Sequence, residues 1–297
     1  GWVGGGQGGA RRGRVPAGVV AFYGVGWALF APSSYEEVMR MLVAGHAWSS
    51  GWSRQWAVPS KAALFKARSR LGFEPLRELF AEVARPMATP ATPGGFYGRW
   101  RVLSMDGTTL DVADTPANEA AFGRPASGRG DGIGAFPQVR VLALAECGTH
   151  AIIDAAIGAY PQGEATLART VLRSLSDESL LLADRGFFSY PLWSAACATG
   201  ADLLWRMKSN AVLPVEQRHK DGSFASHIYP STKARRHRTR AIAVRVLHSP
   251  PGSPAAHLEA VTAPPPTTHP PPPRPPPPPP APPPPARPRD GAPARPP

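Results

Sequence analysis

Cysteine is almost absent from this chain, and its scarcity sets the first limits on function. Only Cys147 and Cys197 occur among 297 residues, with no Cys-x-x-Cys spacing. Zinc sites and disulfide frameworks need more cysteines at recognisable spacings, so neither class is favoured. Four histidines that could have supplied ligands also lack ligand spacing: His219, His227, His237 and His248. This composition suits a reducing cytoplasm, which is where we expect the protein to act.

Acidic residues are also in short supply. The chain has 33 Lys and Arg against 21 Asp and Glu, a formal net charge of +12. Such a surplus attracts polyanions, and nucleic acid is the first candidate partner. Ordinary solubility is the alternative explanation, and part of the surplus lies in four arginines near the C-terminus: Arg274, Arg287, Arg289 and Arg295.

Long hydrophobic runs are lacking except at residues 15–31, which carry no charge. Their length reaches only the lower limit of roughly 17–25 residues for a membrane span. Pro16, Gly18, Gly24 and Gly26 weaken that interpretation, and the flanks do not resemble a signal peptide. We therefore predict a buried core helix and no membrane partner.

The two ends of the chain have little that could pack. About half of residues 249–297 are proline, which lacks a backbone donor and fixes φ, so we expect a disordered tail and a foldable part that ends near His248. Residues 1–13 are rich in glycine and predict a flexible leader. The glycine at position 1 suggests a partial reading frame.

Residues 14–95 have helical patterns and predict an N-terminal helical DNA-binding domain. Ser33 or Ser34 can cap one helix, and a second is predicted between an N-cap at Ser60 and a stop at Gly72. One side of that second helix is apolar and another is basic, which suits a DNA groove, although a solvated face of a core helix has the same pattern. The cations that we expect to contact DNA here are Lys61, Lys66, Arg68 and Arg70.

Residues 96–248 change to alternating strand patterns and predict an α/β domain. Strands are expected at residues 99–106, 139–145, 150–157, 180–183 and 203–208, with helices at 164–175 and 190–198. The order is therefore β-β-β-α-β-α-β. A basic run at residues 233–240 follows and precedes a last strand at 241–247.

Two aspartates follow apolar strands in this domain, Asp106 after VLSM and Asp184 after LLLA. If the strands are neighbours, the carboxylates converge and offer the oxygen ligands that hard divalent cations need. Such a site supports phosphoryl transfer. The alternatives are an Asp106-Gly107 turn that ends the strand, and a capped turn at Asp184, followed by Arg185 and Gly186, that bears a surface ion pair.

Five segments carry a resemblance to a known family: SYEEVMRMLVAG…WAVPSKAALFKARSRLGFEPLRELF, VLSMDGTTLDVADTPANEAAFGRP, AFPQVRVLALAECGTHAIIDAAIG, LLLADRGFFSYPLW and ADLLWRMKSN. In this order they resemble the insertion-sequence-four family of bacterial DDE transposases. The resemblance implies a ribonuclease-H-like core with a mostly β insertion from about residue 209. It matches Asp106 and Asp184 to the first and second metal-binding acids and implies a Mg²⁺ (or Mn²⁺) cofactor.

The resemblance also implies double-stranded DNA partners, namely the terminal inverted repeats of the element and a target, with hydrolytic nicking and strand transfer. A homodimer and nucleoid association are expected with it. The further basic residues placed near DNA are Arg206, Lys208, Arg235, Arg236, Arg238 and Arg240.

The family's third acid, a glutamate in a Tyr-Arg-x-x-x-Glu-like or Tyr-x-x-Arg-Trp-x-x-Glu-like helix, has no counterpart after Leu247. Glu259 lacks the neighbouring Tyr and Arg, and prolines follow it closely. We therefore expect a transposase that binds DNA but is catalytically defective. Two alternatives stay open: a metal-dependent nuclease on the same two aspartates, and a non-enzymatic protein whose polyproline tail binds SH3-like or WW-like grooves.

Overall fold

The structure, a computed structural model, describes residues 15–50, 58–126, 134–207, 211, 213–248 and 259–262. The predicted leader, Lys208 and most of the predicted tail lie outside these residues. The chain divides after Pro86 into two compact units, and Ala151–Asp154 groups with the first. Within the described ranges, every helix is too short or too polar to cross a bilayer.

The first unit is a set of helices: α1 (Ala17–Leu29), α2 (Tyr35–Ser50), α3 (Lys61–Leu71) and α4 (Glu74–Val83). Its core consists of the buried side chains of Tyr23, Val38, Met39 and Leu64. Burial raises the pKa of Tyr23 to about 12, because the phenolate would be stranded in an apolar surrounding.

The caps predicted from sequence are confirmed. The N–H of Ala63 donates to Ser60 Oγ at 3.4 Å, and the N–H of Glu37 donates to Ser34 Oγ at 3.2 Å. Gly72 has φ 70° and its N–H donates to Arg68 O, which ends α3. A residue with a Cβ would be strained at that φ, so glycine is the natural stop.

The prediction of a buried core helix at residues 15–31 holds for one side of α1 and is wrong for the other. Val20, Tyr23 and Gly26 are buried, whereas Phe22 is 74% exposed and Leu29 is 73% exposed. Because the segment carries no charges, its sequence held no signal of which side faces outward.

The second unit is built on one mixed sheet, of which only the first residues of the fourth strand group with the first unit. Its strands are β1 (Phe96–Tyr97), β2 (Trp100–Asp111), β3 (Gln138–Glu146), β4 (Ile152–Ala159), β5 (Ser179–Ala183), β6 (Asp202–Arg206), β7 (Gln217–Arg218), β8 (Phe224–Ile228), β9 (Ile242–His248) and β10 (Glu259–Thr262). Its helices are α5 (Pro116–Phe122), α6 (Glu164–Val171), α7 (Tyr190–Cys197) and α8 (Thr232–Arg236). A 3₁₀ turn, Leu172–Ser174, continues α6.

The strands lie in the order β4-β3-β2-β5-β6-β10-β9-β8-β7, and β1 pairs with β2. Neighbours β2, β5 and β6 are parallel, while β3 and β10 flank them antiparallel. The predicted order β-β-β-α-β-α-β is present, with β1 and α5 as unpredicted additions. This confirms an N-terminal helical region followed by a ribonuclease-H-like mixed sheet with a mostly β insertion.

One face of the sheet carries the core of this unit. Leu103, Met105, Leu181, Leu203 and Trp205 alternate onto it and are buried. The helices that follow β4 and β5 cover this face. Trp193 of α7 meets Trp205 edge to face, with ring centroids 5.1 Å apart.

Two predicted boundaries are wrong. The strand expected to end at Asp106 continues to Asp111, because β3 pairs with it along its whole second half. Regular structure does not stop near His248 either, since β10 lies inside the predicted tail and pairs with both β6 and β9. Residues 255–263 contain no proline, which leaves that stretch able to donate to its neighbours.

A buried carboxylate fastens the start of the second unit to the sheet. Glu146 is fully buried, forms an ion pair with Arg101, and accepts bonds from Thr149 Oγ1 at 2.6 Å, Ala88 N at 2.7 Å and Met87 N at 3.1 Å. Burial alone raises the pKa of Glu146, but these donors outweigh it and hold the pKa below its usual value.

We predict that Glu146→Ala lowers the free energy of unfolding by about 3–5 kcal/mol, because it leaves buried donors and Arg101 without their partner. Because the folded pKa is depressed, the carboxylate stabilises the fold above its unfolded pKa of about 4.3, and this contribution falls as pH drops further toward the folded pKa. Urea titrations followed by tryptophan fluorescence should show this acid dependence in the wild type and in the exposed control Glu178→Gln. A Glu146→Gln variant that kept the full dependence would contradict the assignment.

Candidate active site and nucleic-acid interface

The two predicted acids come directly after the paired stretch of two neighbouring strands. Strands β2 and β5 pair in parallel with Met105 opposite Ala183, so the next residue of each chain is Asp106 and Asp184 respectively. Side chains at matched positions of adjacent strands point to the same face, about 4.8 Å apart along the hydrogen-bonding direction. Both aspartates are exposed, on the face opposite the buried core.

Asp106 lies within β2, where the parallel pairing with β5 ends and the antiparallel pairing with β3 continues. The interpretation of Asp106-Gly107 as a turn is therefore wrong. Gly107 allows Glu164 to approach the strand closely, since a Cβ at position 107 would lie 2.8 Å from the carboxyl carbon of Glu164. Arg140 Nη1 forms an ion pair with Glu164 Oε1 at 2.9 Å. The glycine lets α6 pack directly on the strand that carries the first acid.

Asp184 directly follows β5 and has a basic neighbour. Arg206 Nη1 on β6 donates to Asp184 Oδ1 at 3.1 Å, and both side chains are about half exposed. The surface ion pair considered from sequence is thus present, and its partner is Arg206. A cation bound at Asp184 would compete with this guanidinium for the same oxygen.

The chemical type of the two side chains suits a hard divalent cation. Two carboxylates at one exposed sheet position supply oxygen ligands and leave room for water and phosphate. Across the described residues, however, no group of three His, Cys, Asp or Glu is placed to hold a metal. The arrangement therefore offers two protein ligands.

The basic residues of α3 separate into two kinds. Lys61, Lys66 and Arg70 are exposed. Arg68 instead lies 4.4 Å over the ring of Trp27 and donates to Tyr35 Oη at 2.5 Å. Its guanidinium thus joins the aromatic side of the helical unit, a role that sequence spacing alone could not reveal.

The second basic cluster lies on and after α8. The side chains of Arg235, Arg236, Arg238 and Arg240 are all exposed. Arg238 Nη2 contacts Glu216 Oε1 at 3.0 Å, and Tyr190 Oη donates to Arg240 O at 2.7 Å. Since Tyr190 begins α7 shortly after Asp184, this bond ties the basic run to the loop that follows the second acid.

Sequence reasoning missed a cleft of about 270 Å³ beside this bond. Its walls include Phe188, Tyr190, His227, Tyr229 and Arg235. These residues come from segments far apart in the chain, so no local pattern could have indicated that aromatic rings and a guanidinium line one cleft.

The comparisons with known families agree with this arrangement. Residues 5–81 match the family described as insertion element 4 transposase N-terminal, and residues 98–269 match the transposase DDE domain. The chain therefore belongs to the DDE transposases of the insertion element 4 family, a class of enzymes that act on DNA. The match extends past His248 and includes β10.

Two relatives come from Escherichia coli (strain K12). Transposase InsG for insertion sequence element IS4 is 29% identical over 198 residues, 66% of this chain and 42% of the relative. Putative transposase InsZ is 25% identical over 195 residues, 66% of this chain and 62% of the relative. The chain thus spans less than two thirds of either relative.

Among solved structures, endonuclease V from Streptomyces avermitilis covers 64% of this chain and 74% of its own. The TM-score is 0.27 at 12% identity, a likeness too low to bear on function.

We predict that Arg68→Ala lowers the stability of the helical unit by about 2 kcal/mol, because it removes a cation–π contact and a hydrogen bond. Arg68→Lys should not restore it, since an ammonium lacks the planar fork. Thermal unfolding by circular dichroism provides the measurement. The matched controls Lys66→Ala and Arg70→Ala should leave the melting temperature unchanged. An Arg68→Ala protein as stable as these controls would refute the structural role.

Proposed function

We propose that this chain binds the terminal inverted repeats of an insertion element and target DNA, and that Asp106 and Asp184 hold Mg²⁺ (or Mn²⁺) at the scissile phosphate. The observation that carries the proposal is the register of β2 and β5, which brings the two carboxylates level on one exposed face. Family membership supports phosphoryl transfer on DNA, and a divalent metal cofactor follows from the DDE domain.

When bound, the cation would activate the attacking oxygen and stabilise the leaving oxygen of the phosphodiester. The chain itself supplies the rigid sheet that orients both carboxylates and a guanidinium, Arg206, beside the second one. Exposed cations on α3 and around α8 would hold the DNA backbone. Residues 14–95 serve as the DNA-binding domain in this proposal, and the protein works in the cytoplasm at the nucleoid, as a dimer when it pairs two element ends.

Strand transfer by these 297 residues alone is proposed to be impaired. The sequence after Leu247 provides no glutamate in the Tyr- and Arg-bearing context of the family's third acid. A cation with two protein ligands in place of three is held more weakly, and turnover falls by orders of magnitude when such a ligand is lost.

A nuclease that cuts without joining is the second candidate, because the same two aspartates support it. Incubation with a pre-cut element end separates the two, since only a transposase yields joined product.

We predict that Asp106→Asn and Asp184→Asn each weaken Mn²⁺ binding at least about tenfold, because each removes a charged oxygen ligand. Electron paramagnetic resonance of free Mn²⁺ measures this without any need for turnover. Asp111→Asn is the matched control, since Asp111 lies on the same strand and is exposed. Equal Mn²⁺ affinity in all three variants would remove the proposed metal site.

We predict a steep salt dependence for duplex DNA binding, with a slope of log K against log salt of about −0.9 for each phosphate neutralised. Lys66→Ala, Arg70→Ala and Arg236→Ala should each reduce the slope by about 1, because each exposed cation releases one counterion equivalent. Fluorescence anisotropy on a labelled duplex supplies the slopes, with the exposed Lys220→Ala as control. A flat dependence in the wild type would rule out backbone binding.

A further inference from the structure

Three charged side chains follow one another across the parallel strands of the sheet. The register of β2, β5 and β6 makes Asp106, Asp184 and Arg206 the residues that come directly after the parallel-paired stretch of each strand. The antiparallel partners of the two outer positions are Ala143 on β3 and Ala260 on β10, neither of which carries a charge. This charged row therefore consists of two carboxylates and one guanidinium, with Asp184 between the other two.

The middle acid of the charged row is already paired with a cation of this chain. Arg206 Nη1 donates to Asp184 Oδ1 at 3.1 Å, and the two side chains are 48% and 52% exposed. An ion pair as exposed as this one contributes little to stability, because water competes for both partners. The carboxylate can therefore exchange the guanidinium for another cation at little cost.

The charge balance of the row reverses when a divalent cation joins it. Without that cation, the two carboxylates outnumber the single guanidinium, and the surplus negative charge repels a DNA phosphate. With the cation, the balance becomes positive and attracts the phosphate. Arg206 suits both states, because a guanidinium pairs equally well with a carboxylate and with a phosphate.

We propose that Arg206 is a positioning residue that occupies Asp184 Oδ1 while no cation is bound, and that it moves to a DNA phosphate when a divalent cation takes that oxygen. The inference rests on the metal site proposed above and adds a coupling between cation binding and DNA binding. By linkage, the factor by which the cation raises DNA affinity through Arg206 equals the factor by which DNA raises cation affinity. An ordinary surface ion pair would show no such coupling.

Mn²⁺ binding to the full chain without DNA, followed by electron paramagnetic resonance, tests the exchange at Asp184. Arg206→Gln should bind Mn²⁺ at least about threefold more tightly than wild type, because the competing guanidinium is gone. Arg185→Gln is the matched control: it removes an equal charge from the exposed residue next to Asp184 and should stay within about twofold of wild type. In an Asp184→Asn background, Arg206→Gln should change Mn²⁺ affinity by less than about twofold, because the two residues no longer share a charged oxygen.

DNA binding in EDTA tests the same exchange with no metal present. Because Arg206 is engaged in that state, Arg206→Gln should leave the slope of log K against log salt unchanged for a labelled duplex. Asp184→Asn frees the guanidinium, so adding Arg206→Gln to that variant should reduce the magnitude of the slope by about 1. Fluorescence anisotropy measures the slopes, and circular dichroism checks that each variant is folded.

Equal tightening of Mn²⁺ binding by Arg206→Gln and Arg185→Gln overturns the exchange and assigns the effect to the general positive field. An Arg206→Gln variant that binds Mn²⁺ no more tightly than wild type also overturns it. So does a smaller salt slope for Arg206→Gln alone in EDTA, because the guanidinium would then be free without any cation. Failure of the metal site itself looks different: Asp184→Asn would leave Mn²⁺ affinity unchanged, and both proposals would fall.

Discussion

The parallel register between β2 and β5 is the constraint on which the proposed chemistry depends. With Met105 opposite Ala183, the aspartates that follow are level and share a face. A slip of one residue would send one of the two carboxylates to the opposite face. The register is held from that opposite face, where Leu103, Met105 and Leu181 are buried beneath the helices. The hydrophobic core therefore positions the acids without contacting them.

Net charge overstates how much of the basic surplus is available to DNA. Arg124 pairs with Asp114 and Glu119, which raises its pKa, and Arg245 contacts Asp221 at 2.6 Å. Arg101 and Arg140 are likewise engaged within the sheet unit. These four arginines thus stabilise the fold. Among the described residues, α3 and α8 each carry exposed cations, so the charge available to DNA there cannot be read from the total of +12.

The features that the sequence predicted well depend on interactions between residues close together in the chain. Ser60 and Gly72 bounded α3 correctly because a cap and a stop act within one turn of helix. The strand before Asp184 was equally visible, since a short apolar run that ends in a carboxylate needs no distant information. The adjacency of Asp106 and Asp184 followed only conditionally, because it required the two strands to be neighbours. Features set by distant partners were missed: the second half of β2, the existence of β10, and the aromatic cleft. Asp106-Gly107 is the clearest case, because the dipeptide favours a turn locally while β3 holds it extended.

The placement of β10 explains how the basic insertion and the acids can act as one unit. It pairs with β6, which carries Arg206, and with β9, which follows the basic run. The sheet is therefore continuous from the acid-bearing strands to the strands that hold α8. Strand pairing therefore links the two parts of this unit through main-chain hydrogen bonds. The hydrogen bond from Tyr190 Oη to Arg240 O is a second link between the basic run and the core, through α7. Beside that side-chain bond, β10 thus adds main-chain pairing between the strands around the basic run and the acid-bearing part of the sheet.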